Sequence, residues 1–420
     1  MLFAEVLCLV FSDKFGITIH WNTVIVITAG LLVFVVAEFI FCRNQNESVD
    51  NKLSYITLNN YITAVIVLCQ ILYIILLIRY MTSISVAYYG YNKGLFENIS
   101  TFDYLQKFDT ETFWSLNINP GILFKITRIV AMSLPYSLMY VCINNYFSRR
   151  ILNLLQLLSV FLLCGTIVLT GSRSPLFRVI TMAILLIYFF YLRNTFMNGS
   201  KIKYIVRGII LVACLAVLFV ILLQIMGRES SSLSNEIFKY IGAPLENLDT
   251  YLQQPKVKVT TRYFGENTFN EFYKYLYDKG FISISPTIRA DVLPFNMSST
   301  GLNLGNVYTM FYFFIIDFGY PGIIPCTAIV AIYYMVTYEI ICKKQLFRQK
   351  FSYALFFFGY LINDLIMAFF SNRFYETVLN PFFPKFVLIN IAFGIFILNS
   401  QVKVKQDYKI RVKKKLVKWL

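Results

Sequence analysis

The chain has 420 residues, of which 58% are apolar and 14% charged, and its formal net charge is +16. A soluble domain carries about 25% charged residues, so this composition excludes an ordinary soluble protein. The charge does not predict nucleic-acid binding, because eight cations lie in the tail 401–420 and no basic groove with interleaved aromatic residues accompanies them. A basic tail of this kind is typical of a segment attracted to anionic lipid.

Apolar segments follow one another along the chain in blocks of ~20 residues, the length that crosses the hydrocarbon core as a helix. The ~10-residue alternating segments of a membrane β-barrel are not found. The sequence therefore predicts an all-α polytopic membrane protein with about ten transmembrane helices. The predicted spans lie near residues 1–11, 22–42, 61–80, 121–146, 151–170, 175–193, 206–226, 320–341, 351–370 and 381–399. The first is too short to cross a membrane alone and lacks the features of a signal peptide.

Basic segments between these spans predict the orientation, because lysine and arginine concentrate in cytoplasmic loops. Residues 147–150, 193–207, 343–350 and the C-terminal tail are basic and are expected inside. Alternation of the spans then places the large polar loop outside. The predicted parts are N-terminal transmembrane helices at 1–226, a large extracytoplasmic loop with a re-entrant segment at 227–319, C-terminal transmembrane helices at 320–399 and a basic cytoplasmic tail at 400–420.

The apolar stretch Val307–Phe318 is not expected to be a further crossing, since that would move 343–350 and the tail outside. We therefore predict that Asn306–Gly319 is a re-entrant segment in the outer leaflet and that Pro321 begins the next span. Irregular backbone at membrane depth is tolerated where it is buried in protein or lines a cavity, so a cavity is expected there. Earlier in the loop, a roughly helical apolar period across Ser231–Gln254 predicts a helix.

The turn Thr170–Pro175 joins two predicted spans with glycine, serine, arginine and proline. Gly171 is suited to end one helix and Ser174 to cap the next. Arg173 would then lie beside a helix N-terminus, with Arg178 one turn further on. Free N–H groups and two guanidiniums suit a phosphate or pyrophosphate. The alternative is a tight turn whose arginines extend to lipid headgroups.

Other charged residues are candidates for a site on the same outer side. Arg289 and Asp291 in the large loop form either a catalytic pair or a surface ion pair. Ionisable residues inside membrane segments are functional hypotheses by default. Those assigned to this site are Arg128, Asp317, Asp364 and Arg373. One shared outward-facing site is the simpler interpretation, and charge pairing that holds helices together is the alternative.

No metal site and no cofactor are predicted. All eight cysteines lie in or at the ends of apolar segments, without CxxC or Cys/His spacing, so no disulfide framework is expected either. His20 is the only histidine and stands in a short predicted outer loop. A lone histidine in such a place is interpreted as incidental.

Three stretches resemble those of the Wzy-type oligosaccharide repeat-unit polymerases, bacterial enzymes of O-antigen and capsular polysaccharide synthesis. They are Thr170–Pro175, Ile241–Leu248 and, most specifically, Asn306–Gly322. The resemblance implies a GT-C-like enzyme in the bacterial cytoplasmic (inner) membrane with its active site facing outward. It also implies metal-independent transfer of a growing glycan from undecaprenyl pyrophosphate to an incoming lipid-linked repeat unit. A chain-length regulator and a flippase of the same pathway are raised as further partners.

The implied reaction gives roles to the candidate residues. The pyrophosphate leaving group needs cationic stabilisation, which Arg173 and Arg178 would supply. The attacking sugar hydroxyl needs a base, for which Asp291 and Asp317 are the candidates. Some relatives carry loop arginines in an Arg-x10-Gly pattern, which this chain does not match, because eleven residues separate Arg289 from Gly301.

Two other functions stay open. A lipid-linked oligosaccharide flippase or transporter would share a basic cavity but usually has more helices and no large outer loop. An O-antigen ligase would share the architecture, and ligases are expected to use an outer-loop histidine. The large loop 227–319 contains no histidine, which favours the polymerase.

Overall fold

A computed structural model describes most of the chain. The described residues are 2–42, 53–107, 109–171, 174–194, 238, 241–253, 261–284, 293, 295–342 and 351–399. Most of them are helical, and the strands among them are two short antiparallel strands, Asn296–Met297 and Asn303–Gly305. The predicted all-α class is confirmed.

Helices of very different lengths make up the described chain. The α-helices are Leu2–Val10, Ser12–Phe15, Trp21–Phe41, Asn60–Tyr89, Leu95–Lys107, Thr110–Ser115, Gly121–Arg149, Leu154–Leu169, Ser174–Asn194, Ala243–Gln253, Asn270–Asp278, Met310–Phe318, Ile323–Cys342, Tyr353–Ile366, Arg373–Val378 and Phe382–Phe393. Short 3-10 helices occupy Tyr320–Gly322 and Met367–Phe369, and a π-helix occupies Gly394–Asn399.

Five of the described helices are long and apolar enough to cross a membrane. They are Trp21–Phe41, Asn60–Tyr89, Gly121–Arg149, Ser174–Tyr191 and Tyr320–Cys342. Three shorter apolar helices, Leu154–Leu169, Tyr353–Phe369 and Phe382–Leu398, fall on further predicted spans. The protein is therefore a multi-pass helical membrane protein. The predicted span 206–226 lies outside the described residues.

The chain divides into two compact units. The first contains Met1–Ile40, Thr195–Tyr333 and Asp364–Thr377, and the second contains Phe41–Asn194, Tyr334–Asn363 and Val378–Leu420. Both units draw on distant parts of the chain. The predicted division into four parts follows expected membrane topology instead of contacts, and it stays a prediction.

In the second unit, long helices pack through an apolar core with a few buried polar contacts. Tyr73 and Leu77 of Asn60–Tyr89 pack with Phe124 of Gly121–Arg149. Nearby, the amide of Gln70 donates to the carbonyl of Ser159 at 2.9 Å, and the hydroxyl of Ser159 donates back to the Gln70 side chain at 2.6 Å. Paired hydrogen bonds of this kind join helices where apolar packing alone gives little specificity.

In the first unit, the helix Met310–Phe318 ends at a sharp break. Gly319 has φ +68°, a left-handed conformation that glycine adopts without strain, and Tyr320–Gly322 forms a 3-10 turn before the next helix. The predicted break between the short apolar helix and the following span is therefore confirmed, while membrane depth stays a prediction. An apolar cavity of about 220 Å³ lies beside this helix, and Gly30, Phe34 and Phe311 are among its lining residues. A cavity was expected here.

Candidate functional site

The N-terminal segment is hydrogen-bonded into the large loop, within the first unit. Cys8 donates through Sγ to the carbonyl of Gly242 at 3.6 Å, immediately before the loop helix Ala243–Gln253. Ser299 donates through its backbone N–H and its hydroxyl to the carbonyl of Gly16, at 3.2 and 2.7 Å. The N-terminal segment and the loop thus form one folded lobe.

Four polar residues of this lobe form the His20 cluster, defined as His20, Thr23, Glu246 and Asp249. One carboxylate oxygen of Asp249 accepts hydrogen bonds from the backbone N–H of His20 at 2.8 Å and from the Thr23 hydroxyl at 2.5 Å. The other oxygen lies 2.7 Å from Nδ1 of His20. The side chain of Asp249 is 3% exposed and that of His20 is 51% exposed. The imidazole is therefore fixed at one edge and open to its surroundings at the other.

Glu246 lies one helical turn before Asp249 on the loop helix, and it is 8% exposed. The backbone N–H of Thr18 donates a hydrogen bond to its carboxyl group. Its Oε2 atom has no hydrogen-bond partner among the described residues. Burial, followed by the nearby charge of Asp249, raises the pKa of Glu246 from 4.5 to about 7. Its carboxyl group therefore changes its protonation state near neutral pH.

This arrangement is suited to proton transfer. A histidine whose Nδ1 edge is held by a buried carboxylate keeps Nε2 available as a general base. The cluster also lies at the head of a membrane-length helix, since Trp21 begins Trp21–Phe41 and is 78% exposed. Exposed tryptophan is typical of the boundary between membrane and water. The cluster is thus expected to lie near the boundary between membrane and water.

His20, interpreted from the sequence as incidental, has a buried hydrogen-bond partner in the structure. Its partner Asp249 is 229 residues away in sequence. No local pattern around His20 therefore predicts the hydrogen bond between the two residues. A weak signal was present in the loop helix, where Glu246 and Asp249 are spaced to lie on one helical face. That spacing alone is common on solvated helices, and it did not single out either residue.

Two stretches of the sequence meet in the first unit. Of Thr170–Pro175, Ile241–Leu248 and Asn306–Gly322, they are the second and the third. Asn247, which is fully buried, donates through its side-chain amide to the carbonyl of Val307 at 2.9 Å. Asn296 in turn donates to the side-chain oxygen of Asn247 at 3.0 Å. The second and third stretches therefore form one structural feature beside the His20 cluster, since Asn247 and Asp249 share the loop helix.

Asp317, predicted as a base, is hydrogen-bonded to the loop segment that contains Asn267 and Thr268. Its carboxylate accepts hydrogen bonds from the backbone N–H of Asn267 at 3.2 Å, from the Asn267 side-chain amide at 2.8 Å and from the backbone N–H of Thr268 at 2.6 Å. The carbonyl of Thr268 accepts a further hydrogen bond from Asn372 at 2.9 Å. Because N–H donors engage both oxygens, the geometry favours a structural role for Asp317.

Asp364 and Arg373 also belong to the first unit. Asp364 is fully buried near the end of Tyr353–Ile366. Arg373 forms an ion pair with Glu376 at 3.0 Å, and both side chains are partly exposed. This contact lies within a single helical turn, so it matches local charge pairing more closely than a site for a substrate.

Arg178 and Arg128 both rest on aromatic rings in the second unit. The guanidinium of Arg178 lies 4.8 Å from the ring centroid of Tyr360 and donates to the Tyr360 hydroxyl at 3.2 Å. The guanidinium of Arg128 lies 5.9 Å from the ring of Phe382. The ring of Phe386 contacts both Tyr360 and Phe382, at 4.0 and 6.5 Å between centroids. The two arginines therefore border one aromatic group, as cations commonly do on ring faces.

Three predicted site residues, Arg173, Arg289 and Asp291, lie outside the described residues. The turn around Arg173 is described on both sides. Gly171 has φ +67° and follows the helix Leu154–Leu169, and Ser174 begins the next helix. The predicted helix end and helix start are therefore confirmed, while the anion site itself stays a prediction.

Within the described ranges, no group of three or more His, Cys, Asp or Glu side chains is arranged to hold a metal ion. The fold defines a multi-pass helical membrane protein with a folded polar lobe. No family model, no curated protein and no solved structure matches the chain.

Proposed function

We propose that the protein is a Wzy-type polymerase. It joins undecaprenyl-pyrophosphate-linked oligosaccharide repeat units into O-antigen or capsular polysaccharide on the outer face of the bacterial cytoplasmic membrane. In this proposal the fold is GT-C-like, with about ten transmembrane helices and Asn306–Gly319 as a re-entrant segment. The reaction transfers a growing glycan to the next unit and releases undecaprenyl pyrophosphate.

One observation carries the proposal. The polar lobe presents the exposed imidazole of His20, held by the buried carboxylate of Asp249, at the head of the membrane-length helix Trp21–Phe41. A lipid-linked glycan places its reacting sugar at this boundary, because its polyprenyl chain stays in the hydrocarbon core. The lobe also unites the stretches Ile241–Leu248 and Asn306–Gly322, which carry most of the resemblance.

Charge stabilisation of the leaving pyrophosphate is assigned to arginines. Arg178 lies partly buried against Tyr360, where a guanidinium is less solvated and interacts more strongly with an anion. Arg173 is proposed to act beside it at the N-terminus of Ser174–Asn194, and Arg128 to contact the lipid-linked substrate. Arg289 and Asp291 are proposed to contact the glycan from the large loop.

Deletion of the gene in its own organism tests this function. We expect surface glycan reduced to single repeat units, with polymer restored when the gene is supplied on a plasmid. Gel profiles of the surface glycan and analysis of lipid-linked glycans measure this. Lipid-linked units stranded on the inner face would indicate a flippase and would overturn the proposal, as would normal polymer in the deletion strain.

A ligase is the second candidate, because one observation favours it. The large loop itself contains no histidine, which disfavours a ligase. In the structure, Nδ1 of His20 is hydrogen-bonded to Asp249 of that loop at 2.7 Å, so an imidazole from the N-terminal segment lies against the loop. The deletion strain separates the two functions. A ligase mutant would accumulate finished polymer on the lipid carrier, whereas a polymerase mutant would contain no polymer at all.

A further inference from the structure

Taking the proposed glycosyl transfer as its basis, we propose that His20 is the catalytic base. Its Nε2 atom takes the proton of the acceptor sugar hydroxyl as that oxygen attacks. Asp249 is a positioning residue, which acts through His20 and does not touch the substrate.

The hydrogen bonds around Asp249 determine how His20 is presented. Oδ1 of Asp249 accepts from the backbone N–H of His20 and from the Thr23 hydroxyl, both of which can only donate to it. Oδ2 faces Nδ1 of His20 at 2.7 Å, and a carboxylate there requires the proton to be on Nδ1. The lone pair is then on Nε2, at the ring edge away from Asp249. Because 51% of the His20 side chain is exposed, that edge is within reach of a substrate.

The proposed step is balanced without any co-reactant. The acceptor hydroxyl oxygen forms a bond to the anomeric carbon of the donor sugar. The bond from that carbon to the pyrophosphate oxygen breaks, and undecaprenyl pyrophosphate leaves with the electron pair. The proton of the hydroxyl passes to Nε2 of His20, whose positive charge is then stabilised by the carboxylate of Asp249. The imidazolium later loses its proton to water.

His20 fits the role of general base better than Asp317, the described carboxylate for which the sequence predicts that role. Both oxygens of Asp317 are engaged by N–H donors of Asn267 and Thr268, at 2.6 to 3.2 Å. A substrate hydroxyl would have to displace one of these bonds and release the loop. His20 offers a free nitrogen with no such cost.

The ionisable groups near His20 come from two elements of the lobe. The ionisable groups of the loop helix that face it are Asp249 and Glu246, and the N-terminal helix contributes Glu5 and Cys8 next to these carboxyl groups. A general base can act only in its neutral form. Activity that depends on neutral His20 should therefore fall on the acid side of the pH profile.

The experiment measures polymer formation by the purified full-length protein in lipid nanodiscs. Its substrate is the lipid-linked repeat unit extracted from the deletion strain. His20→Gln should lower the rate by about 10²–10⁴-fold, the usual contribution of a general base, and should remove the acid limb of the pH profile. Asp278→Asn, an exposed loop carboxylate outside the site, is the matched control and should leave the rate unchanged.

Asp249→Asn tests positioning separately from stability. An asparagine can still accept from the backbone and from Thr23, but its amide would face Nδ1 and favour the wrong tautomer. We expect a lower kcat with little change in KM, because the substrate still binds but Nε2 is less often free to accept the proton. A purely structural Asp249 would instead lower the amount of folded protein and leave the kcat of the folded remainder unchanged.

The outcomes distinguish the inference from the function on which it rests. If wild-type protein makes polymer and His20→Gln makes it equally fast with the same pH profile, His20 is not the base and the polymerase proposal stands. If wild-type protein makes no polymer from this substrate and the deletion strain keeps normal polymer, the polymerase proposal fails first. Folding of each variant is checked by its elution as a single species from size-exclusion chromatography.

Discussion

At the scale of single residues, the buried carboxyl group of Glu246 links the stability of the lobe to pH. Its pKa is 4.5 in an exposed setting and about 7 in the folded protein, mainly because of burial. Below pH 4.5 the group is protonated in both folded and unfolded chains. Between pH 4.5 and about 7 the carboxyl group ionises in the unfolded chain but not in the folded one. The free energy of unfolding therefore falls as pH rises through this range, by about 3 kcal/mol in total.

Glu246→Gln should therefore raise the stability of the folded protein at pH 8 and change that stability little at pH 5. Glutamine resembles the protonated carboxyl group, can accept the same hydrogen bond from Thr18 and carries no charge at any pH. Thermal unfolding midpoints in detergent at the two pH values measure the effect. Glu111→Gln, at an exposed carboxylate, is the control and should shift neither midpoint. Equal shifts at both pH values would contradict the assigned cause.

The environment of Glu246 and Asp249 could not be predicted from the sequence. Glu246 and Asp249 look like an ordinary polar face of a loop helix until Thr18 and His20 are placed against them. The raised pKa of Glu246 and the hydrogen bond between Asp249 and His20 both depend on a segment more than 200 positions away. No local sequence pattern predicts them. Arg178 follows a local sequence signal of glycine, serine and proline, and the structure confirms the helix end at one side of that signal and the helix start at the other.

At the scale of elements, helix positions followed from composition while their packing did not. Apolar length alone predicted the spans that the structure places at Trp21–Phe41, Asn60–Tyr89 and Gly121–Arg149, because a helix that crosses lipid must satisfy its backbone internally. The break at Gly319 was also local, since glycine and proline occur together there. The lobe contacts of the N-terminal segment were missed, because they depend on tertiary packing.

One packing contact between elements gives a direct test. Gly30 of Trp21–Phe41 lies against the ring of Phe311 in Met310–Phe318, and a Cβ atom at Gly30 would overlap that ring. Phe311 is 1% exposed and has little room to move. Gly30→Ala should therefore destabilise the first unit by about 1–3 kcal/mol, although alanine is the better helix former. Thermal unfolding in detergent measures the loss.

A second helical glycine provides the control for Gly30→Ala. Gly165 in Leu154–Leu169 has open space where a Cβ would be added, so Gly165→Ala should be neutral or slightly stabilising. Adding Phe311→Leu to Gly30→Ala should recover stability, with a favourable coupling between the two sites. Additive losses in the double variant would show that the two side chains do not meet.

At the scale of the whole molecule, the proposed reaction requires a particular orientation. Lipid-linked units are joined outside the cytoplasmic membrane, so the lobe that carries Asp249 has to face outward. The charge pattern predicts this orientation independently of any resemblance, since residues 193–207, 343–350 and the tail 401–420 are rich in lysine and arginine. Orientation and function are therefore separate predictions that must agree.

Single added cysteines test the orientation with a thiol reagent that does not cross membranes. Ser283→Cys, at an exposed position in the loop, should be labelled in intact cells. Ser400→Cys, at the start of the basic tail, should be labelled only after the cells are made permeable. The wild-type chain gives the background from its native cysteines, of which Cys342 is exposed. Labelling of Ser400→Cys in intact cells, or failure to label Ser283→Cys there, would reverse the orientation and place the His20 cluster on the side where the polymerase reaction does not occur.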